Sequence, residues 1–300
     1  MKLQDIQIRD PFVLPVAAEG AYYLFGSTDK NIWDGPGTGF DCYRSTDLEN
    51  WDGPIAAFRP SPDFWGVTQF WAPEVHAING KFYLVATFNA PGRRLRGSQI
   101  LVSERPEGPY VPHGDPVTPK NWECLDATLW TEPDGSIWTV FSHEWLQVHD
   151  GGMWIRPLDA DLTPAGRPIF LFNASEAAWV RPMNEKIQCY DPNRPFPCYV
   201  TDGPFLHRSP SGALLMLWSS IGERGYAMGV SRSASGQLTG PWEHEPEALV
   251  ADDGGHGMVF RAFDDRLWMT FHQPNDTPNE RAVFVPIREG ADGSSLVIIR

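Results

Sequence analysis

A short phrase recurs five times along these 300 residues, and that recurrence restricts the fold more than any single residue does. Each copy opens with a polar or charged residue and an apolar strand, turns at Gly, Asp or Asn, and closes with an aromatic-rich strand. The copies are RDPFVLPVAAEGAYYLFGS from Arg9, WAPEVHAINGKFYLVATF from Trp71, LDATLWTEPDGSIWTVFS from Leu125, TDGPFLHRSPSGALLMLWS from Thr201 and GGHGMVFRAFDDRLWMTFH from Gly254. Their starts lie roughly 50 to 75 residues apart, near the length of a four-stranded propeller blade. One all-β unit, a five-bladed β-propeller over residues 1–300, is the expected architecture.

Local signals agree. Apolar runs of strand length are bounded by turns at Asn79-Gly80, Asp134-Gly135 and Ser211-Gly212. No window carries a sustained helical stripe. A third strand follows each hairpin, and several of these stretches end in Gly-Pro beside an aromatic residue, where Pro excludes a central strand. Only the stretch from Ala174 to Val200, rich in Pro and mixed charge, breaks the rhythm. A loop of that length is usually functional, and it is expected to cover one mouth of the central channel.

Net charge is −14, and no basic run is long enough to track a phosphate backbone, so nucleic acid is not an expected partner. Arg93, Arg94 and Arg96 form the densest basic patch and read as loop decoration. The 13 Trp fill space between sheets, with a few left for a neutral, hydroxyl-rich ligand. The N-terminal MKLQDIQIRDPFV lacks the apolar centre of a signal peptide, and no run reaches membrane-spanning length. Cytoplasm, with no membrane partner, is the expectation. Cys42, Cys124, Cys189 and Cys198 lack a zinc-like spacing. Cys189 and Cys198 flank a Pro-rich loop and could bridge, but buried thiols are the preferred reading. The sequons at Asn173-Ala174-Ser175 and Asn275-Asp276-Thr277 are short enough to arise by chance.

Asp10, Asp126 and Asp202 stand near the same point of three copies. An Asp at a strand start is ordinarily a turn residue bonding its own backbone. Three at one point of a repeat are another matter, because closing the ring would bring them together. Glycoside hydrolysis needs one ionised carboxylate to activate water and one protonated carboxyl for the leaving oxygen. Neighbouring acids raise one another's pKa, so a third can keep the donor protonated.

On Arg9-Asp10-Pro11-Phe12, Trp71-Ala72-Pro73-Glu74-Val75-His76, Leu125-Asp126 with Pro133-Asp134-Gly135, Asp202-Gly203-Pro204 and Gly254-Gly255-His256-Gly257, in that order, the chain resembles glycoside hydrolase family 43. The likeness runs over nearly the whole length. It implies a five-bladed catalytic propeller and an inverting mechanism, with Asp10 as general base and Asp126 as the group that tunes pKa and orients the acid. Asp202 falls where the family carries its general acid, usually a Glu, and is one methylene shorter. Glu144 is the reserve acid, with substrate binding as its plainer role, and Glu74 is expected to serve as a hydrogen-bond partner behind the site. The resemblance also implies a metal, commonly Ca2+, in the central channel near His256, and no organic cofactor. A lone His is more often a core residue, and calcium prefers oxygen donors that water would have to supply.

Phe12, Trp71, His143, Glu144 and Trp145 are the expected substrate contacts, with Phe70 and Trp122 as further stacking candidates. The spacing from His143-Glu144 to His149 does not fit a zinc protease. Trp122-Glu123-Cys124 and Asp191-Pro192-Asn193 echo the retaining fructosidases but in the wrong order. The expected substrate is an oligo- or polysaccharide, and the expected activity is exo-acting removal of a terminal pentose by an α-L-arabinofuranosidase. A β-D-xylosidase is the second reading. A non-catalytic sugar-binding propeller is the third, and retention of Asp10 and Asp126 speaks against it.

Overall fold

The structure is a computed structural model that describes residues 1–92, 94–183 and 197–299. Among these residues five antiparallel sheets each take four consecutive strands. Their first strands are β1 (Arg9–Val16), β5 (Thr68–Ile78), β9 (Cys124–Thr131), β13 (Asp202–Arg208) and β17 (Gly255–Arg261). β1 lies beside β5 and β17, β9 beside β5 and β13, and β13 beside β17, so these strands form a ring. Each one opens a copy of the repeated phrase. The chain is a five-bladed β-propeller.

Turn chemistry explains the local structure. Between β5 and β6 (Lys81–Ala90), Asn79 and Gly80 have φ of 50° and 80°, the left-handed pair that a two-residue hairpin needs. The Gly-Pro pairs at 53–54, 108–109 and 240–241 fall in or just before the fourth, outermost strands, which need the fewest backbone donors. Apolar side chains pack between neighbouring blades rather than in one central core. Phe40, Phe58, Phe70 and Phe88 pack ring against ring between the first two blades, with Phe70 and Phe88 edge-on at 4.9 Å. Aromatic rings suit this place because they fill wide inter-sheet gaps and bury large area. Blades one and five are tied by Ile8, whose N–H donates to Glu280 O at 3.4 Å, and by the buried Arg9–Glu280 ion pair at 3.2 Å.

Among the described residues no helix is long and apolar enough to cross a membrane, and the longest, α1 (Trp145–Val148), has four residues. Trp179 and Val180, from the long connection before β13, are buried against the third and fourth blades. The centre of that connection and Cys189 lie outside the described residues, as does the question of a Cys189–Cys198 bridge. Cys42, Cys124 and Cys198 are buried.

Candidate active site

All five inner strands are bulged near their start. Each carries a left-handed φ at the bulge: Asp10 (52°), Ala72 (49°), Asp126 (54°), Gly203 (49°) and His256 (49°), with a second one in β5 at Gln69 (53°). Asp, His and Gly enter this conformation more readily than other residues. Bulges at barrel rims re-aim side chains, and here they turn Asp10, Asp126 and His256 into one pit. Asp202 is not the equivalent of Asp10 and Asp126. It stands one place earlier, level with Arg9, Trp71, Leu125 and Gly255, because Gly203 holds the strained position. A Cβ at Gly203 would lie 2.7 Å from the His256 ring, so a side chain does not fit there. The fourth blade's acid is displaced by one residue, and it still faces the pit.

The pit is a cavity of about 320 Å³, at the small end for ligand sites. Asp10, Asp126, Asp202 and Glu144 supply its carboxyl groups, and Arg9 and Arg96 its cations. Trp33, Trp71 and Trp145 give aromatic surface, while Leu146, Met183, Val200 and Ile221 form an apolar wall.

Asp10 is clasped from two sides. Ser27 donates to its Oδ2 at 2.7 Å, and His256 Nδ1 lies 3.2 Å from its Oδ1. Burial alone would raise its pKa, but the charge of His256, followed by that of Arg9, outweighs burial and holds Asp10 below the usual carboxylate range. The same His256 Nδ1 is 3.6 Å from Asp126 Oδ2, which also accepts the Gly203 N–H at 3.2 Å. Burial, followed by the charges of Asp202 and Asp10, pushes Asp126 well up. Burial, followed by the charge of Glu144, pushes Asp202 to about 7. The hydroxyl of Tyr226 donates to Asp202 Oδ2 at 3.2 Å, and burial keeps that phenol protonated. One carboxylate is therefore ionised where another carboxyl holds its proton.

Glu144 opens α1 and is ion-paired with Arg96. Burial lifts its pKa, and Arg96 opposes the rise. Arg96 also donates from Nε to Gln69 Oε1 at 3.1 Å and lies 4.7 Å over Trp71. Contrary to its reading as loop decoration, Arg96 is a buried residue of β7 (Arg94–Ser103). A register shift in the pairing of β7 at this point puts Arg94 over Trp65 and Arg96 over Trp71, a difference that a cluster of three Arg hides. Arg96→Met would leave the Glu144 charge buried without its cation, and should cost about 3 kcal/mol of stability in urea unfolding. Adding Glu144→Gln should recover most of that loss. A double variant no more stable than the single one would show that the pair is not the cause.

Of the expected substrate contacts, Trp71, Glu144 and Trp145 line the cavity, but Phe12 and His143 do not. Phe12 follows the bulge and turns away from the cavity into the core, 5.4 Å from His76 and 6.3 Å from Phe205. His143 faces away from its neighbour Glu144, stacks on Trp122 at 4.3 Å and bonds Gln147 at 2.7 Å. Phe70 is core. Glu74 pairs with His76 at 3.2 Å and stands outside the cavity lining. Glu123, of the fructosidase-like string, accepts the Arg96 N–H at 3.1 Å behind the cavity. Arg9, Trp33, Gln69, Arg96, Tyr226 and Asn275 line the cavity although the repeat gave no sign of them as ligand groups.

His256 was the expected metal ligand. Its Nδ1 is turned to two carboxylates, and among the described residues no group of three or more His, Cys, Asp or Glu side chains could enclose an ion. Protein groups alone do not complete the six to eight oxygens calcium takes.

A propeller whose axis gathers an ionised and a protonated carboxyl group has the parts of a glycosidase. The family model for glycosyl hydrolases family 43 matches residues 5–294. The chain belongs to that family of inverting glycoside hydrolases. It is similar to the crystal structure of an endo-arabinase from Bacteroides thetaiotaomicron VPI-5482, with 39% identity and a TM-score of 0.87, over 97% of this chain and 98% of that one. A segment of 94 residues, 29% of this chain, is 32% identical to a xylosidase/arabinosidase 43A from Humicola insolens. Over 82 residues, 27% of its length, this chain is 29% identical to a beta-xylosidase from Xylanibacter ruminicola. These matches span 27% and 24% of the two relatives' own lengths.

Proposed function

We propose that the protein hydrolyses α-L-arabinofuranosidic bonds with inversion, taking a terminal arabinofuranosyl residue of an oligo- or polysaccharide into the cavity. The observation that carries this reading is the opposed displacement of Asp10 and Asp202, one held ionised and the other pushed to about 7 within a single cavity. Asp10 takes a proton from water as the water oxygen bonds the anomeric carbon. The glycosidic C–O bond breaks on the opposite face, and Asp202 gives its proton to the leaving oxygen. Asp126 tunes and orients the acid. Glu144 is the weaker candidate for that acid, since its pairing with Arg96 favours the ionised form. The sugar specificity rests on the likeness to the arabinase and on the word arabinosidase in a relative's name. The small cavity and its apolar wall favour binding of a chain end.

Cutting inside an arabinan is the second reading, favoured by the endo-arabinase likeness. Action on β-D-xylosides is the third. A pure sugar-binding role gives no use to opposed carboxyl groups. Aryl α-L-arabinofuranoside and aryl β-D-xyloside should be turned over with kcat/KM at least roughly tenfold higher for the arabinoside, a pocket-level discrimination. Linear arabino-oligosaccharides should release arabinose alone from the first minutes. Early oligosaccharide products would move the reading to endo-action, and faster turnover of the xyloside would remove the sugar assignment. A calcium ion enters this proposal only as a water-ligated neighbour of His256, to be checked by elemental analysis of the same preparation.

A further inference from the structure

The second strand of every blade carries one residue level with the bulge of the first. The five are Ser27, Thr87, Ser142, Ser219 and His272, paired across the ladder with Arg9, Trp71, Leu125, Asp202 and Gly255. These residues reach to the next blade. Ser27 accepts the N–H of Ala72, Thr87 that of Asp126 and Ser219 that of His256, each at 2.8 Å. Ser142 breaks the series: its hydroxyl has no hydrogen-bond partner among the described residues, and the Gly203 N–H turns to Asp126 instead. Where the ring closes, the residue is an imidazole. His272 Nδ1 accepts the Asp10 N–H at 3.2 Å.

We propose that His272 is a positioning residue that fixes the catalytic carboxylate of Asp10 through its backbone, without touching substrate. This rests on the reading of Asp10 as the general base. The hydrogen-bond network assigns the tautomer. An Nδ1 that accepts an N–H carries no proton, so Nε2 is the protonated nitrogen and donates to Asn275 Oδ1 at 3.2 Å. That oxygen also accepts from Arg9 Nη2 at 2.7 Å. Burial, followed by Arg9, lowers the imidazole pKa to about 3, which preserves this form in neutral and mildly acidic solution. The ring stacks at 5.5 Å on Tyr226, whose hydroxyl meets Asp202. His272 is fully buried and does not line the cavity.

An imidazole serves here where hydroxyls serve elsewhere because of what lies beside it. Asp10 Oδ1 is 3.5 Å from Nδ1. A hydroxyl there could donate to that oxygen and make the carboxylate a poorer base, as hydrogen bonds to the charged form do. A bare nitrogen holds the N–H and donates no hydrogen bond to the carboxylate. It leaves Asp10 with Ser27 and His256 as its partners.

The test compares His272→Leu, which removes the acceptor, with His272→Asn, whose Oδ1 can take the place of Nδ1. The probe is aryl α-L-arabinofuranoside, with Asp10→Asn run in parallel. His272→Leu should lose kcat about 100-fold, the cost of misplacing a catalytic group by about 1 Å, with KM within about threefold. His272→Asn should recover at least about tenfold of that loss. The thermal midpoint checks that the Leu variant folds, and His272→Ala replaces it in the same comparison if it does not. An unchanged kcat in the deletion variant overturns the proposal. So does an Asn variant no better than the deletion, or a loss confined to KM. If Asp10→Asn is inactive while His272→Leu behaves as wild type, only the positioning role fails. If Asp10→Asn stays active, the assignment of the base fails, and the positioning role with it.

Discussion

Asp10→Asn is expected to lower kcat on arabinofuranosides roughly a thousandfold, the range of a lost general base, and to do so equally for good and poor leaving groups. The amide matches the carboxylate in shape and can keep contacts with Ser27 and His256, but it cannot take a proton from water. Azide needs no such help. It should restore turnover and give a glycosyl azide of inverted configuration, the signature of a base that works on the water side of the sugar. The pH profile carries the same information. Burial opposes ionisation of Asp10, yet His256, followed by Arg9, holds its pKa below the usual carboxylate range. The base is therefore ionised throughout mildly acidic solution, and the acid limb of kcat/KM should lie lower than for an ordinary Asp. That limb should vanish in the Asn variant. Wild-type activity in Asp10→Asn would remove the mechanism.

The ring of blades is legible in the sequence because each inner strand starts with the same bulged phrase, and a bulge needs residues that accept a positive φ. The identity of the pit's acids follows from it only in part. Aligning the copies on their Asp residues puts Asp202 level with Asp10, whereas aligning them on Pro11, Pro73 and Pro204 puts Gly203 there. The second alignment is the one the backbone obeys. Phe12 and His143 look like ligand groups while side chains are assigned to the mouth by sequence position. A bulge in β1 and the start of α1 after His143 reverse the facing of neighbours, so one member of each pair turns inward and the other packs. Arg96 and Trp33 are harder to find. Arg96 reaches the pit only through the pairing of β7, and Trp33 only through a loop that folds over Trp71, ring against ring at 5.5 Å. Neither placement is local, and a single sequence records only local preference.

Strain and electrostatics meet in the same residues. Asp10 and Asp126 hold a conformation that costs of order 1 kcal/mol each outside Gly, and the surrounding clasp offsets it through bonds to their N–H groups from His272 and Thr87. Those bonds aim both carboxyls at one imidazole, His256, which stabilises the ionised state of Asp10 while Asp126 and Asp202 are pushed the other way. The separation of protonation states thus starts from backbone geometry.

Asp202→Asn tests the other half of that separation. The expected loss depends on the leaving group. An arabino-oligosaccharide leaves as an alkoxide unless protonated, so its kcat should fall about a thousandfold. A dinitrophenolate leaves unaided, and the same variant should turn over the dinitrophenyl arabinofuranoside within about tenfold of wild type. Burial, followed by the Glu144 charge, pushes Asp202 to about 7. Because the acid must be protonated to act, kcat/KM of the wild type should fall as pH rises through that value, and the fall should be absent in the variant. Glu144→Gln separates the two candidate acids. Loss of the Glu144 charge should lower the alkaline limb of the wild-type profile while the leaving-group dependence stays normal, since Asp202 still supplies the proton. If Glu144→Gln instead showed the selective loss on poor leaving groups, and Asp202→Asn did not, Glu144 would be the acid and Asp202 its neighbour.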